Sequence, residues 1–159
     1  MAQNISQTSK KNLMANQTQY YFGYGSNLSK EQMSIRCPES SYYSSGKLLG
    51  YSWLINIRGY ASIKISKNDM VLGEVFKLSQ KDEEYLDIYE SVDEGMYKKS
   101  ILNVETPHGS IDCLVYIASD NTEGKPQDEY IDRINLGIRS ANLPTEYVQK
   151  SIRPFIPED

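Results

Sequence analysis

The chain has 159 residues, enough for one domain with a single sizeable core, and its hydrophobic (39%) and charged (24%) fractions are those of an ordinary globular protein. A net charge of −4, with no Lys/Arg run longer than the pairs Lys10-Lys11 and Lys98-Lys99, argues against sequence-independent nucleic-acid binding. No stretch approaches the roughly 20 apolar residues of a membrane span, residues 1–18 lack the apolar core of a signal peptide, and Cys37 and Cys113 have no metal or redox spacing, so the expectation is a cytoplasmic protein with free thiols.

Residues 1–18 are rich in Gln, Asn, Ser, Thr and Lys and read as a disordered polar leader, leaving residues 19–159 as the folded domain. Residues 19–24 form a first strand. Ser29 is placed to N-cap a short helix to about Arg36, ended by Pro38. From Tyr42 to Leu78 the pattern is β, in apolar runs broken by Gly46, Gly50 and Gly59. Ser79-Gln80-Lys81-Asp82 resembles a capping box, opening a helix to about Glu90 with Tyr85, Leu86 and Tyr89 on its buried side.

Residues 96–106 and 110–118 pair as a hairpin around Pro107-His108-Gly109, which makes His108 a solvated turn residue. In its second strand Ile111, Cys113, Val115 and Ile117 share one face, with Leu114 and Tyr116 on the other. Asn121 to Gln127 is a loop. Asp128 through Ala141 is a helix, with Tyr130, Ile131, Ile134 and Ile138 on its apolar side. Pro144 suits the first turn of a last short helix. Strands, one helix, two strands and then helices do not alternate as in a doubly wound fold. They predict an α+β domain with a mixed curved sheet or small β-barrel flanked by helices.

Two segments carry chemistry. In Tyr24-Gly25-Ser26-Asn27-Leu28, a strand end runs into a Gly-rich turn just before a helix. Backbone N–H groups in such a turn trap a carboxylate or a carbonyl oxygen. With Leu at position 28 the segment departs from the dinucleotide fingerprint, and it lacks the Gly-Lys-Ser/Thr ending of an ATP-binding loop. The second segment is Leu86-Asp87-Ile88-Tyr89-Glu90-Ser91-Val92-Asp93-Glu94-Gly95-Met96-Tyr97. Glu90 closes the helix four residues after Leu86, near its apolar face. There partial burial and the negative end of the helix dipole both raise a carboxyl pKa toward the range useful for proton transfer. A solvated Glu at a frayed helix end fits the same pattern, and Asp87, Asp93 and Glu94 read as ordinary solvated charges.

Together these segments resemble the gamma-glutamylcyclotransferase family, with its AIG2-like and gamma-glutamylamine cyclotransferase relatives. The likeness runs from about Tyr20 to Ile156 and takes in Gly59 to Ile63, Gly73 to Phe76, Cys113 to Tyr116, Tyr130, Gly137 and Leu143-Pro144. It implies a mixed α+β barrel with a pocket at one end. It also implies an enzyme that cyclises a γ-glutamyl amide to 5-oxoproline and releases an amino acid or an amine. The nucleophile is the substrate's own α-amine, so no Ser-His or Cys-His pair is required, and no metal or organic cofactor.

Carried over by position, the resemblance makes Glu90 the general acid/base. It makes Tyr24, Gly25, Ser26, Asn27 and Leu28 the substrate-binding turn, and Tyr97, Tyr116 and Tyr130 pocket tyrosines. Each tyrosine also suits plain packing with its hydroxyl at the rim. Arg58 lies either at the pocket rim or on the open surface. The partner implied is a small γ-glutamyl substrate, handled by a monomer or homodimer without nucleic acid or membrane. Where the family segment has Gly after the catalytic Glu, this chain has Ser91, which predicts a differently built turn. A non-catalytic metabolite-binding module of the same fold, an interaction protein using its polar leader, and an enzyme that removes a γ-glutamyl protecting group remain alternatives.

Overall fold

Five strands close into a barrel in the computed structural model, which describes residues 19–159. The leader expected over residues 1–18 lies outside the described residues. The strands are β1 (Gln19–Gly23), β2 (Ser41–Ile55), β3 (Ala61–Leu78), β4 (Tyr97–Thr106) and β5 (Gly109–Ala118), in the order β1-β3-β2-β4-β5 around the barrel. Neighbours are antiparallel except at the closure, where β1 meets β5 in parallel at Tyr21 and Leu114. The sheet is therefore mixed and curved, as the element order predicts. Helices α1 (Lys30–Arg36), α2 (Gln80–Tyr89), α3 (Asp128–Ala141) and α4 (Thr145–Tyr147) flank it. Among the described residues no helix is long and apolar enough to cross a membrane.

The period-2 side-chain alternation of strands splits the apolar residues between two cores. Phe22, Trp53, Val75, Cys113 and Val115 fill the barrel, joined from the C-terminal segment by Tyr147, Ile152 and Ile156. Tyr21, Phe76, Leu114 and Tyr116 point to the outer face, where Met33 of α1 and Leu86 of α2 cover them. Cys37 and Cys113 are both buried, unpaired, and in different cores. Gly46 and Gly50 do not break β2: Gly50 takes a positive φ of 83° where the register with β3 shifts. Pro144 sits at the N-cap of α4, one place before the first turn predicted for it.

Three local devices aim residues toward one barrel end. The β2–β3 turn is built on buried Asn56, whose Oδ1 accepts from the N–H groups of Arg58 (3.0 Å) and Tyr60 (3.2 Å). The capping box of α2 forms as predicted between Ser79 and Asp82. Gly137 of α3 lets the turn after β1 approach, since a Cβ there would lie 2.9 Å from that of Leu28.

Candidate active site

After β1 the chain folds tightly back on itself. Gly23 is needed because a Cβ would meet the Asn27 carbonyl oxygen at 2.9 Å. Residues Ser26–Leu28 make one 3₁₀ turn, and Ser29 then N-caps α1 through its side chain, as predicted. The Leu28 N–H donates to the Gly25 carbonyl (3.1 Å) and the Ser29 N–H to that of Ser26 (3.2 Å). Among the described residues the N–H groups of Gly25, Ser26 and Asn27 donate to no backbone carbonyl. Leu28 is the exception in the predicted set: its side chain is fully buried and it does not line the cavity.

The side chains of the turn are fixed by α1. Gln32 donates from Nε2 to Ser26 Oγ and to Asn27 Oδ1, both at 2.8 Å. Arg36 donates to the same Asn27 oxygen (3.3 Å), and Asn27 Nδ2 donates to the Tyr21 hydroxyl (3.0 Å). Satisfied in this way, the amide holds one orientation.

Glu90 is the C-cap of α2 and borders the cavity, half-buried. Burial pushes its carboxyl up to about 7, against the opposing pull of the Arg36 and Arg133 guanidinium groups. Ser91 follows with φ 51°. Its N–H donates to the Ile88 carbonyl (3.1 Å), and the Val92 N–H donates to that of Asp87 (3.0 Å). This is the Schellman ending usually built on glycine. The differently built turn predicted from Ser91 is thus not found: Ser91 itself adopts the left-handed conformation, because both closing hydrogen bonds require it. A non-glycine residue there costs roughly 1–2 kcal/mol, partly offset by the greater freedom of glycine in the unfolded chain. Ser91→Gly should therefore raise stability by about 0.5–1 kcal/mol in urea denaturation; a fall would mean that the hydroxyl makes a compensating contact.

The tyrosines gather around this carboxylate. Tyr24 donates to the Tyr116 carbonyl (2.5 Å), and its own carbonyl accepts from the Trp53 indole (2.9 Å). Tyr97 donates to the Ala61 carbonyl (2.8 Å), while the Tyr130 hydroxyl accepts from the Ala61 N–H (3.4 Å). Tyr116 lines the cavity, but its hydroxyl is turned to Asp87 Oδ1 (2.8 Å), and Asp87 is paired with Lys99 (3.0 Å). Asp87 is thus a bracing group rather than a plain solvated charge. Burial raises the pKa values of Tyr24, Tyr97, Tyr116 and Tyr130 above the ordinary phenol value, keeping them neutral donors.

All these groups meet at one cavity of about 290 Å³. It brings together Glu90, the Tyr24–Asn27 turn, Tyr97, Tyr116 and Tyr130. Its wall also holds residues that the sequence did not single out as site residues: Arg36, Arg133, Tyr21, Tyr60 and Tyr89. Arg58 is at this cavity too, which resolves its two readings in favour of the rim. Tyr89, predicted on the buried side of α2, is 54% exposed, its ring stacked under the Arg36 guanidinium at 4.5 Å. The helix ends there, so the residue faces the cavity mouth rather than the core. Arg133 follows Tyr130 by three residues on α3, a spacing that puts the two on one face. Among the described residues no three His, Cys, Asp or Glu side chains are grouped to hold a metal ion.

This geometry has known counterparts. The sequence profile of the AIG2-like family matches residues 70–150. Bovine gamma-glutamylcyclotransferase (Bos taurus) is 31% identical over 153 residues, covering 87% of this chain and 79% of that protein. The human protein of the same name is 29% identical over 150 residues, with the same coverage. A solved structure named gamma-glutamyl cyclotransferase superposes with a TM-score of 0.79 at 28% identity, over 90% of both chains. The chain therefore belongs to the AIG2-like, gamma-glutamylcyclotransferase family.

Proposed function

We propose that the protein cyclises γ-glutamyl conjugates to 5-oxoproline, with Glu90 as general acid/base. The observation that carries this is a single carboxyl group, its pKa pushed up to about 7, in the same cavity as a turn whose Gly25 and Asn27 N–H groups donate to no backbone carbonyl among the described residues and whose Ser26 N–H faces the Tyr130 hydroxyl. The N–H groups of Gly25, Ser26 and Asn27 bind the substrate's carboxylate or carbonyl oxygens, while the tyrosine rings fold the glutamyl chain so that its α-nitrogen reaches the γ-carbonyl carbon. That nitrogen attacks, the C–N bond to the leaving group breaks, and no water is consumed. The α-ammonium first loses one proton to solvent, which frees its lone pair; on attack Glu90 takes the second from the attacking nitrogen and returns it to the leaving one, and the released amine takes its other proton from solvent, so two protons leave one nitrogen and two arrive on the other. Because the ring closure is intramolecular, positioning and this shuttle suffice.

The direct test is incubation of the purified protein with γ-glutamyl dipeptides and detection of 5-oxoproline; no product under any condition would overturn the reading. The reaction should persist after exhaustive chelation, because no step uses a metal. The catalytic unit is proposed to be residues 19–159. A chain beginning at Thr18 should match the full chain in melting temperature and turnover, and a large loss of either would assign the first residues a part in the site or the fold.

A further inference from the structure

A second cavity, of about 550 Å³, lies where β2, β3 and the end of β4 meet the α3–α4 connection. It shares no lining residue with the candidate active site. Small-molecule sites are of this size, largely apolar, with a few well-placed polar groups. Here Leu72, Leu143 and Pro144 give the wall its apolar part, and Glu74, Glu105 and Lys47 give its charge.

Glu74 is the anomaly. The alternation of β3 puts it on one face with Leu72 and Phe76, between two apolar residues. It is in register with Gly23 on one side and Ser45 on the other, so the strand cannot turn it out to solvent without breaking both ladders. Its side chain is only 3% exposed. The Lys30 ammonium stands 3.8 Å from Oε1, beyond hydrogen-bond reach; it lies over the Tyr42 ring and donates to the Ser140 carbonyl (3.1 Å). Oε2 has no hydrogen-bond partner among the described residues. Burial raises the carboxyl pKa above the ordinary value, against the opposing pull of the Tyr42 hydroxyl and Lys30. A buried acceptor without a donor is costly, and this one borders a cavity wide enough to admit one.

We infer that this cavity is a second ligand site, for a small organic cation: a primary ammonium bound by Glu74, with an apolar body along Leu72, Leu143 and Pro144. An ammonium supplies both the donors and the charge that the carboxylate lacks. Two carboxylates against one lysine disfavour an anion, and Lys47 stands beside Glu105 in the β2–β4 register, which leaves Glu74 to the ligand. A bare metal ion does not suit the site, since among the described residues no three His, Cys, Asp or Glu side chains are grouped to hold one. The site is independent of the cyclisation proposed above.

Calorimetric titration of the full chain with 2-phenylethylamine, 2-phenylethanol and 3-phenylpropanoate tests this. The three share an apolar ring and differ in the charge at the chain end. The amine should bind about 10-fold or more tightly than the alcohol, the lower end of the range for a charge-assisted hydrogen bond, and the acid should give no heat. In amide NMR spectra the amine should shift Leu72, Gly73 and Leu143 and leave Gly25–Leu28 alone. Glu74→Gln keeps the shape without the charge and should weaken the amine by about 10–100-fold, with little change for the alcohol. Leu143→Trp fills the cavity and should weaken both. Melting curves show whether each variant is folded, and the comparison of the three compounds needs no variant. Equal binding of amine and alcohol, tighter binding of the acid, or shifts confined to the Gly25–Leu28 turn would overturn the site. So would no binding of the amine, which would leave water as the only partner of the buried carboxylate.

Discussion

Glu90→Gln is expected to lower kcat by about 10²–10⁴-fold, the usual contribution of a positioned general acid/base. The amide keeps the shape and most hydrogen bonding of the carboxylate but cannot accept the proton of the attacking nitrogen. Substrate binding should largely survive, because the turn and the arginines are untouched; the loss belongs to kcat rather than KM. The pH profile supplies a second readout. With the carboxyl pushed up to about 7, the basic form is scarce at pH 6 and dominant at pH 8. The kcat/KM of the unmodified protein should thus rise through an acid limb near pH 7, and that limb should be missing from the residual activity of the variant. Near-normal turnover in Glu90→Gln would sink the assignment. So would an acid limb that the substitution leaves in place.

Much of this was legible in the chain because it depends on local pattern. The alternation of Cys113 and Val115 against Leu114 and Tyr116 gave the two faces of β5, and those faces became the two cores. The capping box at Ser79 fixed where α2 begins, and hence where it ends and which residue caps it. Glu90 was therefore readable from its distance to a helix start.

The arginines were not legible in this way. Arg133 is one of several charges on an amphipathic helix, and nothing in α3 says that its neighbour in space is Gln32 of α1. The Tyr60–Tyr130 contact joins the β2–β3 turn to α3, a pairing that only barrel closure creates. Leu28 erred in the opposite direction. It belongs to the motif, but the hydrogen bond that closes the 3₁₀ turn consumes its N–H. Ser91 shows a residue preference overridden by context: two backbone bonds hold it where glycine would be easier.

Gly25→Val should abolish turnover while leaving the barrel folded. A Cβ at this position would lie 3.0 Å from the Ala61 Cβ and 3.0 Å from the Tyr130 hydroxyl. Ala61 is on β3, a core strand of the barrel, and Tyr130 is buried in α3, so neither is a flexible side-chain end that moves aside cheaply. A lone methyl requires shifts of a few tenths of an ångström. The two further methyls of valine cannot be accommodated beside Ala61, Tyr130 and Ile134 while the turn holds its shape. Gly25→Ala should therefore lose at least about tenfold in kcat/KM, and Gly25→Val all measurable activity, a graded series expected of overpacking beside a preorganised oxyanion site. Far-UV circular dichroism should be nearly unchanged, since the turn belongs to no strand. Crystals grown with sulfate or a carboxylate buffer should show the ion within hydrogen-bond reach of the Gly25–Asn27 N–H groups in the unmodified protein and not in the valine variant. If Gly25→Val binds and turns over γ-glutamyl substrate normally, the turn is structural only, and the oxyanion must be stabilised elsewhere in the cavity.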